Sequence, residues 1–186
     1  MLQYHEMLTE LDILRDVAGT FERLGIEYML TGSLAMSYYA QPRMTRDIDV
    51  VVEMRMEDVA RVIAAFEPAY YVPHGEVERA VKMHSMFNLI HTASAIKVDC
   101  IVRKTGVYRE QEFRRRQRVR VGDFDLWIVS KEDLLLSKLV WMAGSRSALQ
   151  AHDVRNLMAT GYERQYVETW ARELQVEHLL RECERG

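Results

Sequence analysis

Apolar positions recur at helical spacing over residues 7–24 (Met7, Leu8, Leu11, Leu14, Val17, Ala18, Phe21, Leu24), and Gly25 supplies a stop. The spacing predicts an amphipathic first helix. Residues 26–30, IEYML, predict a short strand. Thr31-Gly32-Ser33 predicts a turn, with Ser33 capping a helix over 34–40 that Pro42 keeps from running on. A strand over 47–53 and an amphipathic helix over 57–67 come next. Pro68, Pro73 and Gly75 interrupt the stretch 68–83, which yields no single element. Residues 85–92 and 95–102 predict a hairpin about Thr92-Ala93-Ser94, and 117–129 a second with Gly122-Asp123 at its turn. Ser130 and Asp133 bracket a helix start close to a capping box, leading into LLLSKLVWMA, and further helices fill 147–184. Strands and helices alternate early, and helices prevail late. The expected class is α/β (α+β): a mixed sheet flanked by helices over 1–130, then a helical C-terminal subdomain over 131–186.

Strand parity brings the first chemistry. In 47–53 the residues Asp47, Asp49, Val51 and Glu53 share one face, while Ile48, Val50 and Val52 share the other. The apolar face must pack against helices, so both aspartates look into a cleft or solvent. In 95–102, Ile96, Val98, Cys100 and Val102 face one way, with Lys97 and Asp99 opposite. If the two strands are neighbours, Asp99 joins Asp47 and Asp49. Three carboxylates so placed need counter-charge, and Mg2+ suits them because it takes a few carboxylates and keeps positions for water and phosphate oxygens. Gly32-Ser33 supplies the complement: a glycine admits close backbone approach, and a helix start offers free N–H groups to an anion. Together they suit a metal-bound triphosphate, with two Mg2+ ions stabilising an in-line displacement at phosphorus.

Composition narrows the class without choosing a function. The chain has 186 residues, 48% apolar and 28% charged, ordinary values for a globular domain. Cys100 and Cys183 make no disulfide framework, so reduced thiols and a cytoplasmic location are expected. The first residues carry acids and lack a signal-peptide core, and no apolar run approaches the ~18 residues of a membrane span. No cysteine and histidine cluster has zinc spacing.

The net charge of −3 is unevenly spread. Eight basic residues between Arg103 and Arg120 face only Glu110 and Glu112, which makes that segment +6 and leaves −9 for the rest. Such a split reads either as a site for polyanions, centred on Arg114, Arg115, Arg116 and Arg118, or as a solvated face.

A Gly-Ser pair, a spacer of 13 residues, a D-I-D and a distant V-D strand resemble the nucleotidyltransferase superfamily of the DNA polymerase β type. "RMTRDID" and the later "SKEDLLLSKLVW…HDVRNL" resemble, more narrowly, the compact bacterial AbiEii-like nucleotidyltransferases associated with toxin–antitoxin systems. The resemblance covers about residues 20–160. It implies a nucleotidyltransferase-type fold and Mg2+-dependent transfer of a nucleoside monophosphate from an NTP to an acceptor. Gly32 and Ser33 match the phosphate turn; Asp47, Asp49 and Asp99 match the metal-binding and catalytic carboxylates; Arg43 and Arg46 flank the motif within reach of the triphosphate. Lys138, on the buried stripe of its helix, and Asp153 on the next helix match positions used near the nucleotide, and equally suit a bridge between the two helices.

The +6 segment favours RNA, such as a tRNA end, as acceptor. A cognate antitoxin partner and a toxin role follow from the resemblance alone. A small-molecule (antibiotic) or protein acceptor is the alternative within enzymes. A catalytically silent nucleotide- or partner-binding module is the alternative outside them.

Overall fold

The computed structural model of the chain describes residues 8–45, 47–145 and 147–185. Seven strands form its sheet: β1 (Tyr28–Thr31), β2 (Asp47–Val52), β3 (Tyr70–Tyr71), β4 (Met86–His91), β5 (Lys97–Val102), β6 (Gln117–Val121) and β7 (Phe124–Ile128). Across the sheet they run β3-β4-β5-β2-β1-β7-β6. The central strand β2 is antiparallel to β1 and parallel to β5. Hairpins β4–β5 and β6–β7 extend the sheet on either side.

Period-two alternation of β-branched residues explains the sheet's two faces. Ile48, Val50 and Val52 of β2 and Val98 and Cys100 of β5 are completely buried. Phe87, Leu89 and His91 of β4 continue that apolar face, which α1 (Glu10–Arg23) and α3 (Val59–Phe66) cover through a chain of aromatic contacts. Phe21 meets Phe66 at 5.2 Å, Phe66 meets Tyr70 at 5.3 Å, and Tyr70 meets His91 at 5.2 Å between ring centroids. Helix α4 (His74–Met83) packs beside α3 and against β4 and β5.

The opposite face is only partly covered. Helix α2 (Gly32–Tyr39) follows β1 directly, and α6 (Lys131–Ser145) packs on α2. Helices α7 (Ala148–Ala159), α8 (Arg164–Glu173) and α9 (Glu177–Arg185) gather around α6. Ser130 opens α6 as expected: its hydroxyl accepts the Asp133 backbone N–H at 3.2 Å. No helix among the described residues is long and apolar enough to cross a membrane.

Local differences from the sequence expectations have local causes. Helix α1 starts at Glu10 because Thr9 and Asp12 make a reciprocal capping box; Met7 lies outside the described residues. The stretch 68–83 resolves into β3 and α4, with Pro73 at the helix start, where its missing N–H costs nothing. The expected helix over 57–67 opens as a 3-10 turn at Met56–Asp58, where the Asp58 carboxylate accepts the Arg55 backbone N–H at 2.7 Å. Ser33 does not cap α2. The helix begins two residues earlier, at Gly32, with Thr31 at the cap, and the Ser33 hydroxyl turns to Arg43 instead.

Candidate active site

The parallel register of β2 and β5 sets Asp49 opposite Asp99 and Asp47 opposite Lys97. The antiparallel neighbours add Thr31 opposite Asp49 and Asn88 opposite Asp99. Partners in register share a face, so Thr31, Asp49, Asp99 and Asn88 form one row across four strands, with Asp47 and Lys97 in the next. Asp99 is buried and Asp47 is exposed. Burial, and then the charges of Asp99 and Asp47, push the Asp49 carboxyl up to about 6, against the opposing pull of Lys138 and Lys97.

Two side chains temper this crowding. Asn88 Nδ2 donates to Asp99. Lys97 Nζ donates to Asp99 Oδ2 at 3.1 Å and stands 3.6 Å from Asp47 Oδ1. Burial works against the charge on Lys97, yet the two carboxylates outweigh it and hold the ammonium pKa above its usual range. Among the described residues no three acidic, histidine or cysteine side chains are gathered closely enough to cage an ion as they stand. The donors are nonetheless the oxygen ligands that Mg2+ prefers, and the cation now between two of them is the Lys97 ammonium.

Gly32 fixes the turn after β1 against this row. Its φ is +66°, in the left-handed region, and a Cβ built there would lie 2.0 Å from Asp49 Oδ2. Only glycine lets the turn and the carboxylate touch.

Arg43 and Lys138 converge on the same side through Asp153. The Asp153 carboxylate is completely buried and accepts Lys138 Nζ at 2.7 Å and Arg43 Nε at 3.2 Å. Arg43 Nη2 also donates to the Ser33 hydroxyl. Asp153 therefore lies behind the site and holds two cations that face it. One carboxylate thus both bridges α6 to α7 and fixes the direction of Arg43 and Lys138.

These residues line a cleft of about 370 Å³ that includes Gly32, Ser33, Arg43, Asp47, Asp49, Asp99 and Lys138. That is within the usual range for small-ligand sites. Eight of its residues carried no functional expectation, among them Ser137, Trp141, Leu149 and Gln150. Trp141 is 64% exposed on α6, one turn from Lys138. A large aromatic left open beside a cleft is the one sequence signal that could have marked it. Strand parity already set Lys97 beside Asp99, and Asn88 meets Asp99 across the β4–β5 hairpin; only the pairing of Lys97 with Asp47 depends on strands distant in sequence.

Arg114, Arg115, Arg116 and Arg118 are not brought to the cleft. Arg115 donates to Asp133 at 3.0 Å and lies 3.9 Å over the Tyr166 ring. Arg116 pairs with Glu27 and stacks on Phe113; Arg118 pairs with Glu22 at 3.1 Å; Arg114 is 4.0 Å from Glu110. Acids from elsewhere in the chain thus engage Arg115, Arg116 and Arg118, and Arg118 sits on the edge strand β6, three strands from β2. Arg46 lies outside the described residues.

No protein-family model matches the chain, and no curated protein matches it in sequence. Solved structures match it in shape. The lincosamide antibiotic adenylyltransferase LnuA, bound to lincomycin, superposes with a TM-score of 0.57 at 18% identity, over 83% of this chain and 99% of that one. ANT(2'')-Ia in complex with adenylyl-2''-tobramycin gives 0.62 at 12% identity, over 92% of this chain and 99% of that one. An antigenic nucleotidyltransferase-like protein from Paracoccidioides brasiliensis gives 0.51 at 16% identity, over 81% and 75%. What these likenesses establish is architecture: the chain has the mixed α/β fold of the nucleotidyltransferases.

Proposed function

We propose that the protein transfers a nucleoside monophosphate from a nucleoside triphosphate to a hydroxyl-bearing acceptor. The observation that carries this is the contact between Gly32 and Asp49: a phosphate-sized turn pressed against a carboxylate that faces a second carboxylate, Asp99. Asp47, Asp49 and Asp99 would hold Mg2+ once Lys97 swings aside. Bound there, the metal would neutralise the triphosphate and stabilise charge on the attacking and leaving oxygens.

The chain's own groups do the rest. The α2 N-terminus, with the Ser33 hydroxyl, receives the terminal phosphates. Arg43 and Lys138, held by Asp153, supply fixed positive charge where the pyrophosphate departs. The acceptor oxygen bonds to the α-phosphorus as the bond to the bridging oxygen breaks. The electron pair leaves with the pyrophosphate, and the hydroxyl proton passes to the Asp99 carboxylate.

The acceptor is the finer part of the proposal. The arginine run favoured RNA, but its side chains are ion-paired away from the cleft, so the case for RNA has to rest on cations at the cleft itself. LnuA and ANT(2'')-Ia are antibiotic-modifying proteins of the same fold, which supports a small-molecule acceptor as the competing reading. Membership of the toxin-associated subgroup, with an antitoxin partner, rests on the two sequence stretches quoted for it.

The test incubates the protein with Mg2+ and each α-labelled NTP, with RNA, cell protein or an antibiotic panel in separate tubes. Label moving to one acceptor class, and lost in an Asp47→Asn, Asp49→Asn double variant, is the expected result. NTP binding without transfer to any class would favour a silent nucleotide-binding module.

A further inference from the structure

Beside the main cleft lies a second cavity of about 120 Å³, which shares Thr31, Ile101, Ser137 and Trp141 with it. Strand register fixes where it lies relative to the carboxylates. β1 runs antiparallel to β2, so the chain beyond the Thr31–Asp49 pair, at Gly32 and Ser33, continues toward Asp47. Val51 and Ile101, which line the second cavity, lie one pleat step the other way. The pyrophosphate cradle and the second cavity therefore flank the Asp49–Asp99 pair on opposite sides. In-line displacement puts the incoming oxygen opposite the leaving one, so an acceptor has to arrive from the Val51–Ile101 side.

The groups around this cavity define what it accepts. Arg103, Lys104 and Arg109 line it, against one buried carboxylate, Glu112. Arg103 is matched by Glu53, and Arg109 by Glu112 at 2.7 Å, with Ser137 at 3.1 Å. Lys104 is exposed and forms no ion pair among the described residues. The mouth thus carries one positive charge in excess, on a side chain that an anion could meet without displacing an existing pair. A polycation would meet that excess charge and find Glu53 and Glu112 already engaged. Trp141 adds an exposed aromatic wall suited to the face of a sugar or base ring.

We infer that this cavity is the acceptor subsite, and that it takes a hydroxyl compound carrying a neighbouring phosphate: a phosphorylated sugar, free or at the end of an RNA chain. Lys104 holds the phosphate and Trp141 the ring. The inference rests on the transfer reading above and adds the acceptor's chemical class to it.

Calorimetry on the full chain, loaded with Mg2+ and a non-hydrolysable ATP analogue, tests it with four probes: ribose 5-phosphate, ribose, tobramycin and a short RNA with a free 3′-hydroxyl. Ribose 5-phosphate should bind at least tenfold more tightly than ribose or tobramycin. Lys104→Glu should abolish that preference while leaving affinity for the ATP analogue within twofold, which also shows the variant is folded. Trp141→Ala should weaken ribose 5-phosphate and ribose alike. RNA binding tenfold more tightly than ribose 5-phosphate would identify an RNA end as the source; equal affinities would identify a free sugar phosphate. With the analogue bound, no preference for ribose 5-phosphate, or a preference that survives Lys104→Glu, overturns this inference and leaves the transfer reading standing. Failure of the analogue to bind at all overturns both.

Discussion

The ammonium of Lys97 stands 3.1 Å from a carboxylate oxygen of Asp99, on the strand next to the one that carries Asp47 and Asp49. It is an internal counter-ion for the acidic row, and a metal ion bound there would have to displace it. Lys97→Met should therefore lower the stability of the metal-free protein by about 1 kcal/mol and raise Mg2+ affinity severalfold. Thermal denaturation across a magnesium titration reads both. An unchanged magnesium midpoint would show that Lys97 does not compete with the metal.

Gly32→Ala should leave the fold recognisable and remove nucleotide binding. The left-handed φ costs alanine about 1–2 kcal/mol, and the added methyl pushes directly on Asp49. Circular dichroism and binding of a labelled ATP analogue separate the two effects. Near-normal binding would mean that the turn does not hold phosphate.

Asp153→Ala should be among the most damaging single changes. It strands Lys138 in a buried position without its partner, a situation worth about 3–5 kcal/mol, and frees Arg43 from its place beside Ser33. Lys138→Met combined with Asp153→Leu should recover much of that stability without recovering activity. Urea denaturation and the transfer assay together decide; restored activity in the pair would make the bridge purely structural.

The Asp49 carboxyl, raised to about 6, imposes a definite pH dependence on the metal-free protein. A raised carboxyl favours the folded state at low pH, and that advantage is lost as pH climbs from about 4, where the unfolded carboxyl ionises, to about 6. Asp49→Asn resembles the protonated form at every pH. In chelator, the variant should therefore match the wild type near pH 4 and exceed it by about 3 kcal/mol above pH 7. Equal stabilities at both pH values would mean that neither burial nor the neighbouring carboxylates raise the Asp49 pKa in solution.

Arg114→Ala and Arg118→Ala should change transfer to any acceptor by less than twofold, since both side chains are ion-paired away from the cleft. Steady-state kinetics with whichever acceptor the transfer assay identifies checks this. A tenfold loss would return the basic run to the acceptor interface.

The sequence made the two faces of β2 and β5 legible because every charged residue of both strands falls on one face while the other is wholly apolar, which leaves one register per face. It also made the hairpin turns and the Ser130–Asp133 helix start readable. The partners of the arginines were beyond it. Arg116 meets Glu27 and Arg118 meets Glu22 only because β6 and β7 fold back beside β1, and no local pattern encodes that return. The same holds for Arg43 and Asp153, joined across more than a hundred residues. Local signals located the carboxylates; tertiary pairing decided which cations face them and which are spent elsewhere.

The parallel pairing of β2 with β5 also has a kinetic side. Asp49 and Asp99 are fifty residues apart in the chain, and parallel neighbours form only after the whole crossover between them has ordered. The acidic row is consequently expected to close late in folding. Ligands that bind it cannot guide the chain to its fold; they act afterwards, by slowing its escape. Magnesium and nucleotide should leave the refolding rate unchanged and lengthen the lifetime of the native state against unfolding and proteolysis.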